Sequence, residues 1–383
     1  MAHVALLALA LATTLGVIGA CTQLIVGGSR IKRLADQAGD PNGPRVSVIV
    51  AARDEEIHIE LALQSLLAQQ YADFEIIAID DRSADDTGAI LDRMAARHSR
   101  LRVIHVTELP PHWLGKNHAL HTGAGIATGE YLLFTDADVV FAPDALARAV
   151  AFAKARGADH LTVGPEIESP SVLLTLVVTF FTLGFMGYYR PWQAEDPERQ
   201  EHIGIGAFNL VRTALYREFG GHSRIALRPD DDIKLGRLVK LAGARQVIGS
   251  GTGVIRVKWY STVGELGRGL RKNTFAGLHY SLPFAIGAII LQLVVNVWPF
   301  VALFVTSGAV WWLNASSALV LMTMYALVAH GVGSKAWLAI GYPIAALIFV
   351  YIVIVAVGST VVRGGIEWRG TFYSLAELKK NTV

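Results

Sequence analysis

The sequence predicts an α/β domain, a parallel sheet wrapped by crossover helices, flanked by transmembrane helices. Three observations lead there. From Val46 onward short apolar runs alternate with helically spaced segments. Apolar stretches of spanning length lie near both ends of the chain. Paired aspartates close two of the predicted strands, Asp80-Asp81 and Asp136-Ala137-Asp138.

Composition supports a water-soluble domain joined to membrane spans: 52% of the 383 residues are hydrophobic and only 17% charged, with a mean hydropathy of +0.42. The net charge of +2 and the lack of a basic stripe interleaved with aromatics argue against a nucleic-acid partner. A single cysteine, Cys21, excludes an internal disulfide framework and fits a reducing, cytosolic face.

The first apolar run, Val4 to Val26, is followed rather than preceded by basic residues: Arg30, Lys32 and Arg33. That order predicts a retained anchor over 1–27 with its N-terminus outside, then a basic linker over 28–45. A cleaved signal peptide is the alternative, since Ile18-Gly19-Ala20-Cys21 loosely resembles a lipoprotein cleavage box.

The strand–helix alternation follows. Val46–Ala51 reads as a strand, Glu56–Ala68 as a helix with Ile57, Leu61, Leu63, Leu66 and Leu67 in helical spacing. Phe74–Ile79 is a second strand, Thr87–His98 a helix, Val103–Val106 a third strand and Tyr131–Thr135 a fourth. Ligands in such sheets bind at the carboxyl ends of the strands, where both acidic pairs fall. Val172–Tyr189 is apolar but sits inside the predicted 46–280 domain. A buried core helix and a helix lying on or dipping into the bilayer are the two readings, the second favoured.

Three more runs, Leu282–Val305, Ala309–Ala329 and Trp337–Val362, make a membrane region over 281–362, with a tail over 363–383. Trp298, Trp311, Trp312, Trp337 and Tyr342 lie near the ends, where aromatic belts belong. Three spans would put Arg363, Arg369, Lys379 and Lys380 outside, against the positive-inside bias; either the bias is overridden or one run is re-entrant.

Two carboxylates two residues apart, on a strand-to-loop turn, suit one hard divalent cation that shares phosphate oxygens. Alone, Asp-x-Asp is common by chance. Here Val46-Ser-Val-Ile-Val-Ala-Ala-Arg-Asp-Glu-Glu56, Ile76-Ile-Ala-Ile-Asp80-Asp81-Arg82-Ser83-Ala84-Asp85-Asp86-Thr87, Trp113-Leu114-Gly115-Lys116, the Asp136/Asp138 pair and Asp230-Asp231-Asp232 with Leu235-Gly236 follow one another in order. That ordered set, from Val46 to Lys272, resembles the family 2 glycosyltransferases. With the spans it is most similar to the ceramide-glucosyltransferase-like branch, which includes bacterial enzymes acting on hopanoid or carotenoid lipids.

The resemblance implies a GT-A, Rossmann-like fold binding a nucleotide-sugar, UDP-linked by expectation, in an integral protein of the bacterial inner membrane with this domain cytosolic. It implies that Asp81 accepts a hydrogen bond from uracil, with Glu55 in the same pocket, and that Lys116 meets the diphosphate. Asp136 would contact ribose or metal, and Asp138 would be the direct ligand of Mg²⁺ or Mn²⁺. Asp232 would be the general base, with Asp231 in place of the family's preceding acid. A solvated lysine, a helix-terminal charge and a helix N-cap are the plainer readings of Lys116, Glu55 and the Asp cluster.

The family's Gln/Arg-x-x-Arg-Trp box has its nearest match in Arg268-Gly-Leu-Arg271-Lys272, with Lys for Trp. Arg268 and Arg271 would bind diphosphate, or form a basic collar before a span. Loss of the aromatic favours transfer of a single sugar to a membrane-lipid hydroxyl over processive polymer synthesis. Asn209, in Gly206-Ala-Phe-Asn209, is the candidate acceptor contact; His118, His121 and His222 are further site candidates. A transporter or scaffold with a degenerate nucleotide-binding domain is the reading from another class, disfavoured because the C-terminal runs hold almost no ionisable groups.

Overall fold

The computed structural model describes residues 1–331 and 334–381, and they form two compact units. A sheet unit holds Ile31–Glu168, Pro191–Trp259 and the segment beginning at Glu377. A helical unit holds Met1–Arg30, Ser169–Arg190 and Tyr260–Ala376. The expected 46–280 domain is therefore interrupted: the apolar 172–189 helix and the stretch from Tyr260 belong to the helical unit, and of the expected 363–383 tail only the part from Glu377 belongs to the sheet unit.

In chain order the described elements are α1 (Ala2–Gly28), β1 (Lys32–Arg33), β2 (Val46–Ala52), α2 (Ile59–Leu67), β3 (Phe74–Asp81), α3 (Thr87–Ala95), β4 (Leu101–Val106), α4 (Gly115–Ile126), β5 (Tyr131–Asp136) and β6 (Val139–Phe141). Next come α5 (Ala145–Ala155), β7 (His160–Gly164), β8 (Glu166–Ile167), α6 (Val172–Tyr189), β9 (Asn209–Arg212), α7 (Thr213–Glu218), α8 (Asp231–Leu241), β10 (Gln246–Ser250) and β11 (Ile255–Val257). The chain continues through α9 (Val263–Gly277), α10 (Leu282–Asn296), α11 (Trp298–Val305), α12 (Gly308–Gly331), α13 (Tyr342–Arg363), the hairpin β12 (Gly365–Trp368) and β13 (Thr371–Ser374), and α14 (Leu375–Leu378).

Among the described residues, the main sheet has eight strands in the order β1-β10-β7-β9-β5-β2-β3-β4. Alternation along each strand divides the core. Val46, Val48 and Val50, with Ile76, Ala78 and Leu133, pack in a layer with α2, α3 and α5. Ile49, Ile77, Ile79, Leu132 and Phe134 pack with α4 and α8. Both faces are covered, so the strands read as continuous apolar runs rather than alternating ones.

The sheet is mixed rather than wholly parallel. β9 runs antiparallel to both neighbours, β5 and β7. The remaining pairings in this sheet are parallel, and their register sets the site: Ala52 of β2 lies opposite Asp80 and Ala51 opposite Asp136. Three strand ends thus deliver acidic residues to one edge. A second, three-stranded sheet has the order β6-β11-β8.

β7, β9 and β10 are cross-linked by a buried polar network. His160 Nε2 lies 3.1 Å from Asn209 Oδ1 and its Nδ1 2.7 Å from Gln246 Nε2. The amide of Gln246 is a donor there, so the neutral ring accepts at Nδ1 and donates at Nε2. Gln246 Oε1 accepts from the Ile203 N–H at 2.8 Å, and Asn209 Nδ2 donates to the Ile205 carbonyl at 3.0 Å.

In the helical unit, among the described residues, four helices are long and apolar enough to cross a membrane: His3–Gly28, Val172–Gln193, Gly308–Gly331 and Ala336–Arg363. The run Leu282–Val305 is not one helix. It divides at Val297 into α10 and α11, with Pro299 in the first turn of the second; proline lacks the N–H that would continue the ladder. α9 and α10 are bent by 118°. Tyr325 donates to the Leu176 carbonyl at 2.9 Å and Thr14 bonds Ser317 at 2.9 Å, so polar groups inside this unit find partners.

Burial lowers the His160 pKa from 6.5 to about 4. The unfolded chain takes up a proton near pH 6.5 and the folded chain only near 4, so this group removes stability as pH falls through that window. The total approaches about 3 kcal/mol at about 1.4 kcal/mol per unit. Denaturation midpoints of the detergent-solubilised chain should fall from pH 7 to pH 4.5, and fall less steeply in His160→Gln; equal slopes in both proteins would contradict the assignment.

Candidate active site

The site is built where β2, β3 and β5 end. Beyond β2 the chain turns through Asp54, whose φ is +53°, to Glu55, whose N–H donates to Thr87 Oγ1 at 2.8 Å. At the end of β3, Asp81 is buried and its two carboxylate oxygens receive Arg82 Nε and Nη2 at 2.9 and 3.1 Å. Arg53 Nη1 stands 3.8 Å away. Gly115 opens α4 against the same carboxylate: a Cβ there would come within 2.1 Å of Asp81 Oδ2. The helix N-terminus, with its unpaired N–H groups and positive dipole end, favours the negative charge beside it.

One residue into α4, Lys116 reaches across to a second group of acids. Its Nζ lies 2.7 Å from Asp136 Oδ1 and 3.4 Å from Asp231 Oδ2. Burial disfavours the ammonium, but Asp136, Asp231 and Asp232 outweigh burial and hold its pKa above the usual lysine value. Two residues beyond Asp136, burial pushes the Asp138 carboxyl well above the ordinary range, and the charges of Asp136 and Glu55 add to that. Glu55 therefore faces Asp138 closely enough to act on its charge.

Asp230, Asp231 and Asp232 have three different settings. Asp230 is the N-cap of α8 and is held by Arg228, whose Nε and Nη2 lie 2.8 and 2.7 Å from its two oxygens, both side chains buried. Asp231 is buried against Lys116. Asp232 is half-buried; its Oδ2 accepts the Gly206 N–H at 2.9 Å and its Oδ1 the Ile233 N–H at 2.8 Å. Burial raises its pKa and Asp231 raises it further, against Lys116. A partly exposed carboxylate with a raised pKa is suited to accept a proton.

Gly206 joins the two halves of this group. Its N–H binds Asp232, while a Cβ on it would lie 2.6 Å from Asp136 Oδ2. A side chain here would displace one acid or the other. Asn117, next to Lys116, donates from Nδ2 to the carbonyls of Ile225 at 2.8 Å and Arg228 at 2.9 Å, tying α4 to the loop that carries the aspartates.

The structure thus brings together Glu55, Lys116, Asp136, Asp138, Asp231 and Asp232, with Asp81 at the first residue of the helix that carries Lys116. Arg268 and Arg271 lie on α9, in the helical unit. Asn209 is buried, with its amide committed to His160 and to the Ile205 backbone. His222 packs edge-on to Phe134 and its Nδ1 lies 2.8 Å from the Tyr216 hydroxyl. Burial, then Lys116, brings its pKa down to about 3. His118 and His121 flank the Trp113 ring at 5.5 and 5.1 Å between centroids, and burial lowers both.

Sequence reasoning gave no role to the side chains of Asn117 and Arg228, and Gly115 entered only as a member of the Trp113–Lys116 motif. Asn117 follows directly on Trp113-Leu-Gly-Lys116, so the motif could have been extended by one; nothing in the sequence marked Arg228 as the partner of Asp230.

Residues 47–220 match the family described as Glycosyl transferase family 2. This segment is a family 2 glycosyltransferase domain. Similar proteins include an uncharacterized glycosyltransferase, EpsJ, of Bacillus subtilis (strain 168), 39% identical over 25% of this chain and 26% of that protein. A 4,4'-diaponeurosporenoate glycosyltransferase of Staphylococcus haemolyticus (strain JCSC1435) is 25% identical over 65% of this chain and 66% of its own length. The chain thus spans from about a quarter to two thirds of these relatives. Among solved structures, the mannosyltransferase PcManGT from Pyrobaculum calidifontis, in complex with GDP-Man and Mn2+, superposes with a TM-score of 0.56 over 93% of this chain and 99% of that one, at 22% identity. The fold of the family 2 domain is GT-A-like.

Among the described residues, no three His, Cys, Asp or Glu side chains converge to hold a metal ion. The pair Asp136 and Asp138 still fits a hard divalent cation that takes its other ligands from phosphate and water. The raised pKa of Asp138 shows what such a cation would relieve: carboxylates crowded by Asp136 and Glu55 and opposed by Lys116.

Replacing Lys116 by Met should leave the acids uncompensated and cost about 3 kcal/mol at pH 8. Protonation of Asp138 and Asp232, whose folded pKa values are raised, relieves the repulsion as pH falls, so the deficit should shrink toward pH 6. Denaturation midpoints of the two proteins at both pH values check this; an equal deficit at each would contradict it.

Proposed function

We propose that the chain is an inverting glycosyltransferase that moves one sugar from a nucleotide-sugar, UDP-linked, to a hydroxyl of a membrane lipid. One observation carries the reading: Lys116 sits between the Asp136 side and the Asp231/Asp232 side of one acidic site, at the carboxyl edge of the sheet of a family 2 domain. Asp136 and Asp138 are assigned to the donor, and Asp232 to the acceptor.

Asp232 removes the proton from the acceptor hydroxyl as that oxygen attacks the anomeric carbon. The new glycosidic C–O bond forms as the bond to the diphosphate breaks, and a single displacement inverts the configuration. The proton ends on Asp232 and the electron pair leaves with the nucleoside diphosphate. The Gly206 N–H, bonded to Asp232 Oδ2, orients the carboxylate, and Lys116 turns its charge to the diphosphate. A divalent cation on Asp138 and Asp136 would compensate the charge of the leaving group; the Mn2+ bound by PcManGT, which shares the fold, is consistent with that. Asp81, with Arg82 and Arg53 about it, is assigned to the nucleobase.

The membrane reading rests on the four apolar helices. Glu168 and Pro191, on either side of α6, both belong to the sheet unit. α6 is assigned to lie on or dip into the bilayer, beside the acceptor lipid. The name of the Staphylococcus haemolyticus relative supports an apolar acceptor. Single transfer is favoured over polymer synthesis by Lys272, which stands where the processive members' box has Trp and lies 4.3 Å over the Trp368 ring.

The test is mass spectrometry of total lipids from cells with and without the chain, alongside Asp232→Asn. One lipid class should gain the mass of a single sugar. Asp232→Asn should lose about 10²- to 10⁴-fold in turnover while donor still binds. Unchanged lipids, or a fully active Asp232→Asn protein, would overturn the reading, and a ladder of sugar masses would replace single transfer by polymer synthesis.

A further inference from the structure

The segment that follows the last long helix returns to the sheet unit and closes on the loop ahead of the aspartate cluster. Asn381 makes two hydrogen bonds with that loop: its Oδ1 accepts the Leu227 N–H at 3.1 Å, and its Nδ2 donates to the Arg224 carbonyl at 3.0 Å. Four residues earlier, Glu377 Oε1 lies 3.0 Å from His112 Nδ1, on the segment leading into α4. Between them Leu378 is fully buried. The tail is thus bonded to the sheet unit through two side chains, Glu377 and Asn381.

The loop it grips is short and already held from its other side. Leu114 N–H donates to the Ala226 carbonyl at 2.8 Å, and Asn117 donates to Ile225 and Arg228. Downstream of Leu227 come Arg228, paired with Asp230, and then Asp231 and Asp232. No side chain of the tail is needed to explain the core of the sheet, whose two apolar layers close without it.

We propose that Asn381 is a positioning residue for the general base: the tail fixes the backbone at Arg224–Leu227 and thereby the placement of Asp232. This rests on the assignment of Asp232 given above. A carboxylate that must meet an acceptor hydroxyl at hydrogen-bond distance loses turnover steeply with displacement, by up to about 10²-fold for 1 Å. The donor-side carboxylates Asp81 and Asp136 end β3 and β5, whereas both hydrogen bonds of the Asn381 side chain go to the 224–227 loop. Loosening the tail should therefore slow transfer and spare donor binding.

The test uses the full chain in detergent or membranes, with Asn381→Ala, the exposed neighbour Lys380→Ala and Asp232→Asn measured side by side. Asn381→Ala should lower kcat about tenfold with the donor KM within twofold and the denaturation midpoint unchanged, while Lys380→Ala matches wild type. Wild-type kcat in Asn381→Ala beside an inactive Asp232→Asn would overturn the role of the tail and leave the base assignment standing. A parallel rise in donor KM with a lowered midpoint would also overturn it, because that is what general loosening does. Full turnover in Asp232→Asn would overturn the base assignment and this role with it.

Discussion

One ammonium group holds the site together. Lys116 lies within ion-pair distance of Asp136 and Asp231, and its charge is felt at Asp138 and Asp232 as well. Four carboxylates from two separate parts of the chain would otherwise repel one another in a setting where water screens poorly. The position of Lys116 is fixed by the start of α4, and α4 is fixed in turn by its packing on β2 and β3. The sheet register, which brings Asp80 and Asp136 to the level of Ala52 and Ala51, is what makes a single lysine sufficient.

The second constraint is close approach of backbone to carboxylate. Gly115 lets a helix terminus touch Asp81, and Gly206 lets an N–H reach Asp232 while lying against Asp136. The three consecutive aspartates then separate in role because their partners differ. Asp230 is neutralised by Arg228, Asp231 by Lys116, and Asp232 is left half-exposed with only N–H donors. An identical side chain thus meets an arginine, a lysine and two backbone N–H groups within three residues.

Much of the sheet was legible because its strands are buried on both faces. Val46–Ala51, Phe74–Ile79 and Tyr131–Thr135 were read from apolar runs, and the strands continue one or two residues further, into Ala52, Asp81 and Asp136. An apolar criterion stops at the first charge, whereas ladder hydrogen bonds do not. β9 was not legible: four residues beginning with a buried Asn carry no period, and its antiparallel direction is set by where the chain returns after α6. The motif acids were legible by order and spacing. Their partners were not, since Arg228 and Asn117 act through contacts that only the folded chain creates. Burial, which the sequence does not display, lowers the pKa of His222, one of the three candidate histidines.

The central claim is that the acids around Lys116 form a donor site in which the protein supplies only part of a cation's shell. Manganese binding, followed by electron paramagnetic resonance with and without UDP, tests it most directly. The account predicts weak binding to the chain alone, binding tightened at least tenfold by UDP, and loss of the tight state in Asp138→Asn. Equally tight binding with and without UDP, or an unchanged Asp138→Asn protein, would contradict it.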